Sequence, residues 1–400
     1  MILTIEDLDL AHKTVFVRVD INTPVNPEDG SLLEQSRILE ASETINSLSS
    51  SKVVVGSHQG RVGRYDYISL EQHAKSLNDL IDRPVKFVPD IHNSAAKNAI
   101  TRLKDGEVLV LENLRFDEDE SRDFEPKEAS ETKMVQNIYH LFDACVLDAF
   151  ATSHRSSPSI VGFSFLLPSC SGRIVMREVQ AMDRMLKESD GRFTTILGGS
   201  KIRDRLSALE SLIETKRTDR VLLTGMIGIL FLIARNQIKY SLEIDDEEKY
   251  LIKAKFLLET YPNIFEIPVD VAIESRGKRL ELPVAELTPE HKILDIGART
   301  CEIYTQIINA SGAILMSGPP GLFENENFEN GTHALLKALA STSGTTIISG
   351  GHLSAALEKL GIKDKIDHLS TAGGALVLYL SGAELPLIKA LEKSAEKSIT

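Results

Sequence analysis

The sequence predicts an α/β protein made of two doubly wound parallel sheets joined by a helical connector. Three observations predict it: the length, short runs of Val, Ile and Leu that stay apolar through their centres, and helical segments alternating with those runs. Four hundred residues exceed one ordinary core, since domains run to about 150 residues. The apolar runs lie at 14–21, 52–58, 85–89, 107–113 and 144–150, then at 193–199, 220–225, 292–297, 313–319 and 345–351. Strands buried on both faces read this way, without polar alternation. Segments 70–81, 133–142, 205–214 and 331–341 carry helical periodicity, and strand alternating with helix makes parallel sheets.

One segment breaks the rhythm. Residues 172–189, GRIVMREVQAMDRMLKES, form a long amphipathic pattern between Pro168 and Gly191. It has no Gly/Ser-rich or Pro-rich stretch, so it reads as a helical connector and not a loose linker. The first domain is therefore expected at 1–171, the connector at 172–189 and the second domain at 190–375. The acidic run 116–125, FDEDESRDFE, reads as a solvated loop.

Composition excludes several classes. Lys and Arg number 45 against 58 Asp and Glu, a net charge of -13. Such a chain repels nucleic acid and anionic membranes unless its positive charge is gathered somewhere. Cys145, Cys170 and Cys301 are odd in number and widely spaced, with no C-x-x-C, which reads as reduced thiols in a cytoplasm. The opening MILTIEDLDL lacks the basic and long apolar regions of a signal peptide. The most apolar stretch, Val221 to Ala234, falls short of the ~20 residues of a membrane span. It reads as a buried strand running into a buried helix. The expected partners are small molecules, neither nucleic acid nor membrane, bound by a monomer.

Open parallel sheets bind ligands beyond the carboxyl ends of their strands. In the first half those ends carry Asp20 and Asn22, His58 and Arg61, Arg115, and then His154 and Arg155, with Arg37 shortly after the first strand. One such arginine would read as a surface ion-pair residue. The set reads as a pocket for a small polyanion, because the planar fork of arginine matches phosphate and carboxylate. In the second half the strands run into Gly198-Gly199-Ser200-Lys201, Thr224-Gly225, Gly318-Pro319-Pro320-Gly321, Gly350-Gly351-His352 and Gly373-Gly374. Glycine lets backbone N–H groups approach a phosphate, and a helix N-terminus adds favourable dipole charge. Several such ends on one sheet suggest a nucleotide face. No G-x-x-x-x-G-K-[ST] and no G-x-G occurs, which argues against a P-loop ATPase and an ordinary dinucleotide dehydrogenase.

These motifs resemble those of phosphoglycerate kinases. Val17-Arg18-Val19-Asp20-Ile21-Asn22, Ser57-His58-Gln59-Gly60-Arg61, Leu111-Glu112-Asn113-Leu114-Arg115-Phe116 and the stretch from Asp148 to Arg155 stand in family order. Leu197 to Lys201, Leu294 to Gly297, Gly318 to Glu324 and Ser370 to Gly374 follow. The likeness spans about residues 14 to 375, and its motif variants look more archaeal than bacterial or eukaryotic. It implies reversible phosphoryl transfer between ATP/ADP and 3-phosphoglycerate/1,3-bisphosphoglycerate, a step of glycolysis and gluconeogenesis, with Mg²⁺ accompanying the nucleotide. It implies that Asp20, Asn22, Arg37, His58, Arg61, Arg115 and Arg155 hold 3-phosphoglycerate, and that Arg37 and Lys201 act on the transferring group. Gly198, Gly199, Lys201, Arg205, Glu324, Gly350, Gly351, His352 and Leu353 would meet the nucleotide, Glu324 through the ribose hydroxyls. Gly373 and Gly374 would form a phosphate loop, and residues 376–400 would return to the first domain.

Three positions depart from the family pattern. Ser317 stands where Asn is usual, Arg205 where Lys is usual, and Ser349-Gly350-Gly351-His352 replaces Gly-Gly-Gly-Asp. The family's aspartate meets magnesium, whereas a neutral imidazole suits Mg²⁺ poorly, so the metal ligands stay open. His352 reads as a donor to phosphate or as a residue closing the turn. The implied chemistry needs no general base, since the attacking carboxylate is already ionised at pH 7. The protein must align the reacting oxygens and stabilise charge. That calls for the two domains to close about the connector when both substrates bind, a compaction small-angle scattering would register. Another carboxylate kinase, or a non-catalytic nucleotide or phosphosugar sensor, remain the competing readings.

Overall fold

The computed structural model describes residues 2–190 and 192–399, with side chains through 397. Gly191, expected to end the connector, and Thr400 lie outside the described residues. The chain divides into two compact units. One takes the chain up to Val179 and again from Glu384; the other is Gln180–Ala383. The division falls inside the helix Arg173–Glu188, whose first half buries Ile174, Val175 and Val179 and whose second half buries Met182 and Met185. The return to the first unit begins at Glu384, later than the expected 376. The intervening helix Gly373–Leu380 buries Leu376, Val377 and Leu380 within the second unit. Among the described residues no helix is long and apolar enough to cross a membrane.

The first unit holds six parallel strands: β1 (Thr14–Val19), β2 (Lys52–Gly56), β3 (Val85–Phe87), β4 (Val108–Val110), β5 (Ala144–Asp148) and β6 (Ser169–Ser171). Their order is β3-β4-β2-β1-β5-β6. β1 and β5 are apolar through their centres because helices cover both faces, and Val15, Phe16, Val17 and Val146 are fully enclosed. Such β-branched and aromatic side chains suit a pleated, buried surface. The chain winds outward from β1 through β2 and then turns back to β5 on the other side. The crevice at β1 and β5 is therefore the switch point at which this fold class binds ligands.

The second unit contains β7 (Phe193–Leu197), β8 (Arg220–Leu223), β9 (Phe265–Glu266), β10 (Asp270–Ser275), β11 (Lys278–Pro283), β12 (Ile293–Ile296), β13 (Ala313–Ser317), β14 (Thr345–Ser349) and β15 (His368–Ser370). Six form a parallel sheet, β15-β14-β13-β7-β8-β9, whose switch point lies between β7 and β13. The expected buried strand and helix at 221–234 are β8 and the helix Gly225–Ala234.

One expectation fails here. The run 292–297 does not join the parallel sheet; β12 pairs antiparallel with β10, which pairs antiparallel with β11. The hairpin between β10 and β11 turns on Arg276 (φ 50°) and Gly277 (φ 75°), the two positive φ values that a type I′ turn needs. Side chains fasten this small sheet to its unit. The Asp270 carboxylate accepts from the Arg299 and Thr300 amides that open the helix Ala298–Ala310. Arg279 donates to Asp295 at 2.9 Å and to the Ile296 carbonyl at 2.9 Å.

Candidate active site

In the first unit every expected triose-phosphate residue sits at or just past the carboxyl ends of β1, β2, β4 and β5, except Arg37, which comes from the helix Ser36–Ser47. Asp20 leaves β1 and accepts from Arg37 Nη1 at 2.6 Å and from the Asn22 amide at 3.1 Å. The Asn22 side-chain oxygen accepts from the Gly60 amide at 2.9 Å, joining the ends of β1 and β2. Burial pushes the Asp20 carboxyl up, but Arg37 and Arg18 together with the Asn22 amide outweigh it, so it ionises below its ordinary range. Arg115 follows β4, and its guanidinium donates to the Gly60 carbonyl. Burial first, then the charges of Arg155 and Arg18, push Arg115 down to about 10, with Arg61 adding to the repulsion. Arg155 also acts on His58, so the basic residues form one cluster.

Two buried networks hold that cluster, and sequence reading missed both. Arg18 lies near the carboxyl end of β1 and is only 2 % exposed. Its Nε donates to Ser159 Oγ at 2.7 Å, Nη1 to the Val19 carbonyl and Nη2 to His58 Nδ1 at 3.1 Å. Glu120 stands 3.6 Å from Nη2. Glu120 also accepts from the Ser157 hydroxyl and from the Ser159 amide and hydroxyl. The run 116–125 is therefore not a wholly solvated loop: it delivers the buried counter-charge of Arg18. An arginine inside the apolar TVFVRV was the available signal, since buried charges are paired.

The second network centres on Asn113, which is fully enclosed. Its oxygen accepts from the Gln59 and Arg115 amides, and its nitrogen donates to the Gln59 and Ile68 carbonyls. Gln59 Oε1 accepts from the Thr23 amide at 2.9 Å and from His73 Nε2 at 3.0 Å. His58 and His73 are both buried and neutral. For His58, Asp20 opposes the burial, while Arg18, Arg115 and Arg155 reinforce it. Since Arg18 donates to His58 Nδ1, the proton of His58 sits on Nε2.

Burial lowers His73 from 6.5 to about 4. The unfolded chain thus binds the extra proton between those pH values, and stability falls as pH drops through the window. Replacing His73 by Gln removes this dependence. Urea unfolding followed by circular dichroism should show the wild type losing stability more steeply than His73→Gln between pH 6.5 and 4, by about 1.4 kcal/mol per pH unit at most. Equal slopes would refute a neutral buried His73.

In the second unit a cavity of about 290 Å³ opens at the switch point. Its glycine end includes Gly199, Gly225 and Gly321 with Ser200, Glu324 and His352, and its apolar wall includes Met226, Ile229, Leu232, Val271 and Leu322. Gly198 packs where no side chain fits: a Cβ would lie 2.5 Å from the Pro319 carbonyl and 2.6 Å from Thr224 Oγ1. Lys201 is exposed and caps the helix Ile202–Glu214 directly after this loop. Arg205, expected against the nucleotide, commits two nitrogens to the loop itself. Nε donates to the Gly198 carbonyl at 3.0 Å and Nη1 to Ser317 Oγ at 2.6 Å. Two departures from the family pattern thus meet one another. The forked guanidinium bridges two acceptors that a lysine point charge would serve poorly.

The helix Gly351–Leu360 follows β14 with Gly350 at φ 119° as its cap, a conformation open to glycine. His352 stands in its first turn, with Nδ1 3.6 Å from Glu324 Oε1. The Leu353 side chain is buried in the core, and its amide donates to the Gly350 carbonyl. Gly373 and Gly374 open the helix after β15; neither they nor Gly198, Lys201, Arg205, Gly350, Gly351 or Leu353 is among the residues lining the cavity. The donor set does not fit Mg²⁺, which takes several oxygen ligands. Among the described residues no three His, Cys, Asp or Glu side chains gather as a metal site. Of the two carboxylates lining the cavity, Asp295 is tied through Oδ2 to Arg279 and the Gly331 amide.

Positive charge concentrated at one switch point and a glycine-edged cavity at the other are the parts of a small-molecule kinase. Comparison with known proteins makes that class specific. The family profile described as phosphoglycerate kinase matches residues 5–383. Phosphoglycerate kinase of Methanothermobacter thermautotrophicus is 40% identical over 398 residues, 98% of this chain and 97% of that one. The enzyme of Methanothermus fervidus is 38% identical over 99% of this chain and 98% of its own. The crystal structure of phosphoglycerate kinase from Pyrococcus horikoshii superposes with a TM-score of 0.89 at 35% identity, covering 99% of this chain and all of that one. The chain belongs to the phosphoglycerate kinase family.

Proposed function

We propose that this chain transfers a phosphoryl group reversibly between ATP and the carboxylate of 3-phosphoglycerate, with the triose phosphate on the first unit and the nucleotide on the second. The observation that carries this reading is the gathering of Arg37, His58, Arg61, Arg115 and Arg155 at or beyond the carboxyl ends of the strands of one sheet, with Arg37 held by Asp20 and His58 by Arg18. Like charges held together raise the free energy of the empty cluster. An incoming anion with a phosphate at one end and a carboxylate at the other relieves it. The N-terminus of the helix Gly351–Leu360, which brings His352 to the cavity, favours the nucleotide phosphates, and the cavity's apolar wall suits the base.

Placement and the family resemblance support these residue roles. Asp20 orients Arg37 through the 2.6 Å contact, and Arg37 serves the reacting carboxylate. Asn22, His58, Arg61, Arg115 and Arg155 hold the phosphate end and the hydroxyl. Lys201 balances charge on the transferring group, and Glu324 accepts from the ribose. Neither substrate needs a base, so the protein contributes alignment and charge. Magnesium would travel with the nucleotide. The buried free cysteines Cys145 and Cys170 support a reducing, cytoplasmic setting, and a monomer suffices for these roles.

A coupled assay with ATP, 3-phosphoglycerate and a downstream dehydrogenase tests the activity directly. No turnover above background, from enzyme that binds both ligands, would refute it. Arg61 is exposed, so Arg61→Ala should leave the fold and ADP affinity unchanged and weaken 3-phosphoglycerate binding about tenfold. Calorimetry with each ligand separately checks this, and a loss of ADP binding would refute the division of roles.

A further inference from the structure

At the glycine end of the second cavity an imidazole stands at a helix N-terminus, where a hard cation would need oxygen ligands. His352 stands in the first turn of the helix Gly351–Leu360, 71 % exposed, beside Glu324 at 3.6 Å and with its ring centroid 5.6 Å from that of Phe323. An imidazole is a poor ligand for Mg²⁺ but donates readily through a ring N–H. The other carboxylate of the cavity, Asp295, has a side chain 0 % exposed and salt-bridged to Arg279. A carboxylate beside the nucleotide phosphates would repel them unless a cation stood between. An imidazole does not, and its ring N–H can be donated to a phosphate oxygen.

We propose that His352 donates a hydrogen bond to a phosphate oxygen of the bound nucleotide and does not ligate the metal, so that this chain binds metal-free ADP about as well as its magnesium complex. The ion is then held by nucleotide oxygens and water, and the protein discriminates little between the two forms of the nucleotide. This deepens the nucleotide reading of the cavity and rests on it.

Isothermal titration calorimetry of ADP tests the proposal without any turnover, using wild type, His352→Ala and His352→Asp, each in EDTA and again in excess Mg²⁺. Because His352 is exposed, neither substitution should disturb the fold, and circular dichroism verifies that. The wild-type affinities in the two conditions should agree within about threefold. His352→Ala should weaken both by about tenfold, the effect of one hydrogen bond to a charged group. His352→Asp should bind ADP poorly in EDTA and recover at least about tenfold with Mg²⁺. A wild type that prefers the magnesium complex by more than about tenfold overturns the proposal, as does an unchanged affinity of His352→Ala in both conditions. If the wild type takes up no ADP in either condition, the nucleotide site itself is refuted, which is a separate result.

Discussion

Lys201→Ala should lower turnover about a thousandfold while 3-phosphoglycerate binds as before. Lys201 is the first residue after the Gly198-Gly199-Ser200 loop and caps the following helix without burying its side chain. Its ammonium is a compact charge on a flexible stem, able to follow a phosphoryl group as negative charge shifts toward the leaving oxygen. A group that stabilises charge only during transfer lowers the barrier, so its removal appears in kcat. The ground-state nucleotide should lose much less, since the cavity wall and the N-terminus of the helix Gly351–Leu360 remain to hold it. Single-turnover kinetics with saturating ATP separates the step from binding, and calorimetry with 3-phosphoglycerate is the control. Normal turnover with lost triose-phosphate binding would place Lys201 at the wrong site.

The parallel strands were legible because burial on both faces leaves a continuous apolar run, and the residues just past those strands inherit their position from them. That logic reached Asp20, His58, Arg115, Gly198 and Gly350 without any contact information. It failed where partners are distant in sequence. β12 looks like its parallel neighbours because Ile293, Leu294 and Ile296 are apolar, yet β10 claims it in an antiparallel pair. Glu120 sits among acids that are mostly exposed, and nothing local shows that it faces Arg18. The cavity wall was invisible for a related reason. Met226, Ile229, Val271 and Leu322 come from separate segments and read as core until they are seen to line an opening. Ser317 and Arg205 read as unrelated departures; only the 2.6 Å contact between them reveals one device.

The largest stability effect belongs to Arg18. With Arg18 and Glu120 side chains each 2 % exposed, neither charge can turn to water when the other is removed. Arg18→Met keeps the length of the side chain but leaves Glu120 enclosed, still hydrogen-bonded to Ser157 and Ser159 and without its cation. Removing one partner of such a pair costs about 3–5 kcal/mol. The Arg18→Met/Glu120→Gln double variant should regain a large part of this, because it contains no lone buried charge, and the amide oxygen can accept from the Ser159 N–H while its NH2 donates to the serine hydroxyls. Urea unfolding of the four proteins closes the cycle, and simple additivity of the two single losses would contradict a coupled pair. The same Arg18→Met variant should also bind 3-phosphoglycerate more weakly even under conditions where it is fully folded. Arg18 Nη2 fixes His58 through the 3.1 Å contact to Nδ1, and without it the imidazole is free to rotate away from the anion. A variant that loses stability but holds 3-phosphoglycerate with wild-type affinity would restrict Arg18 to the core and free His58 from its control.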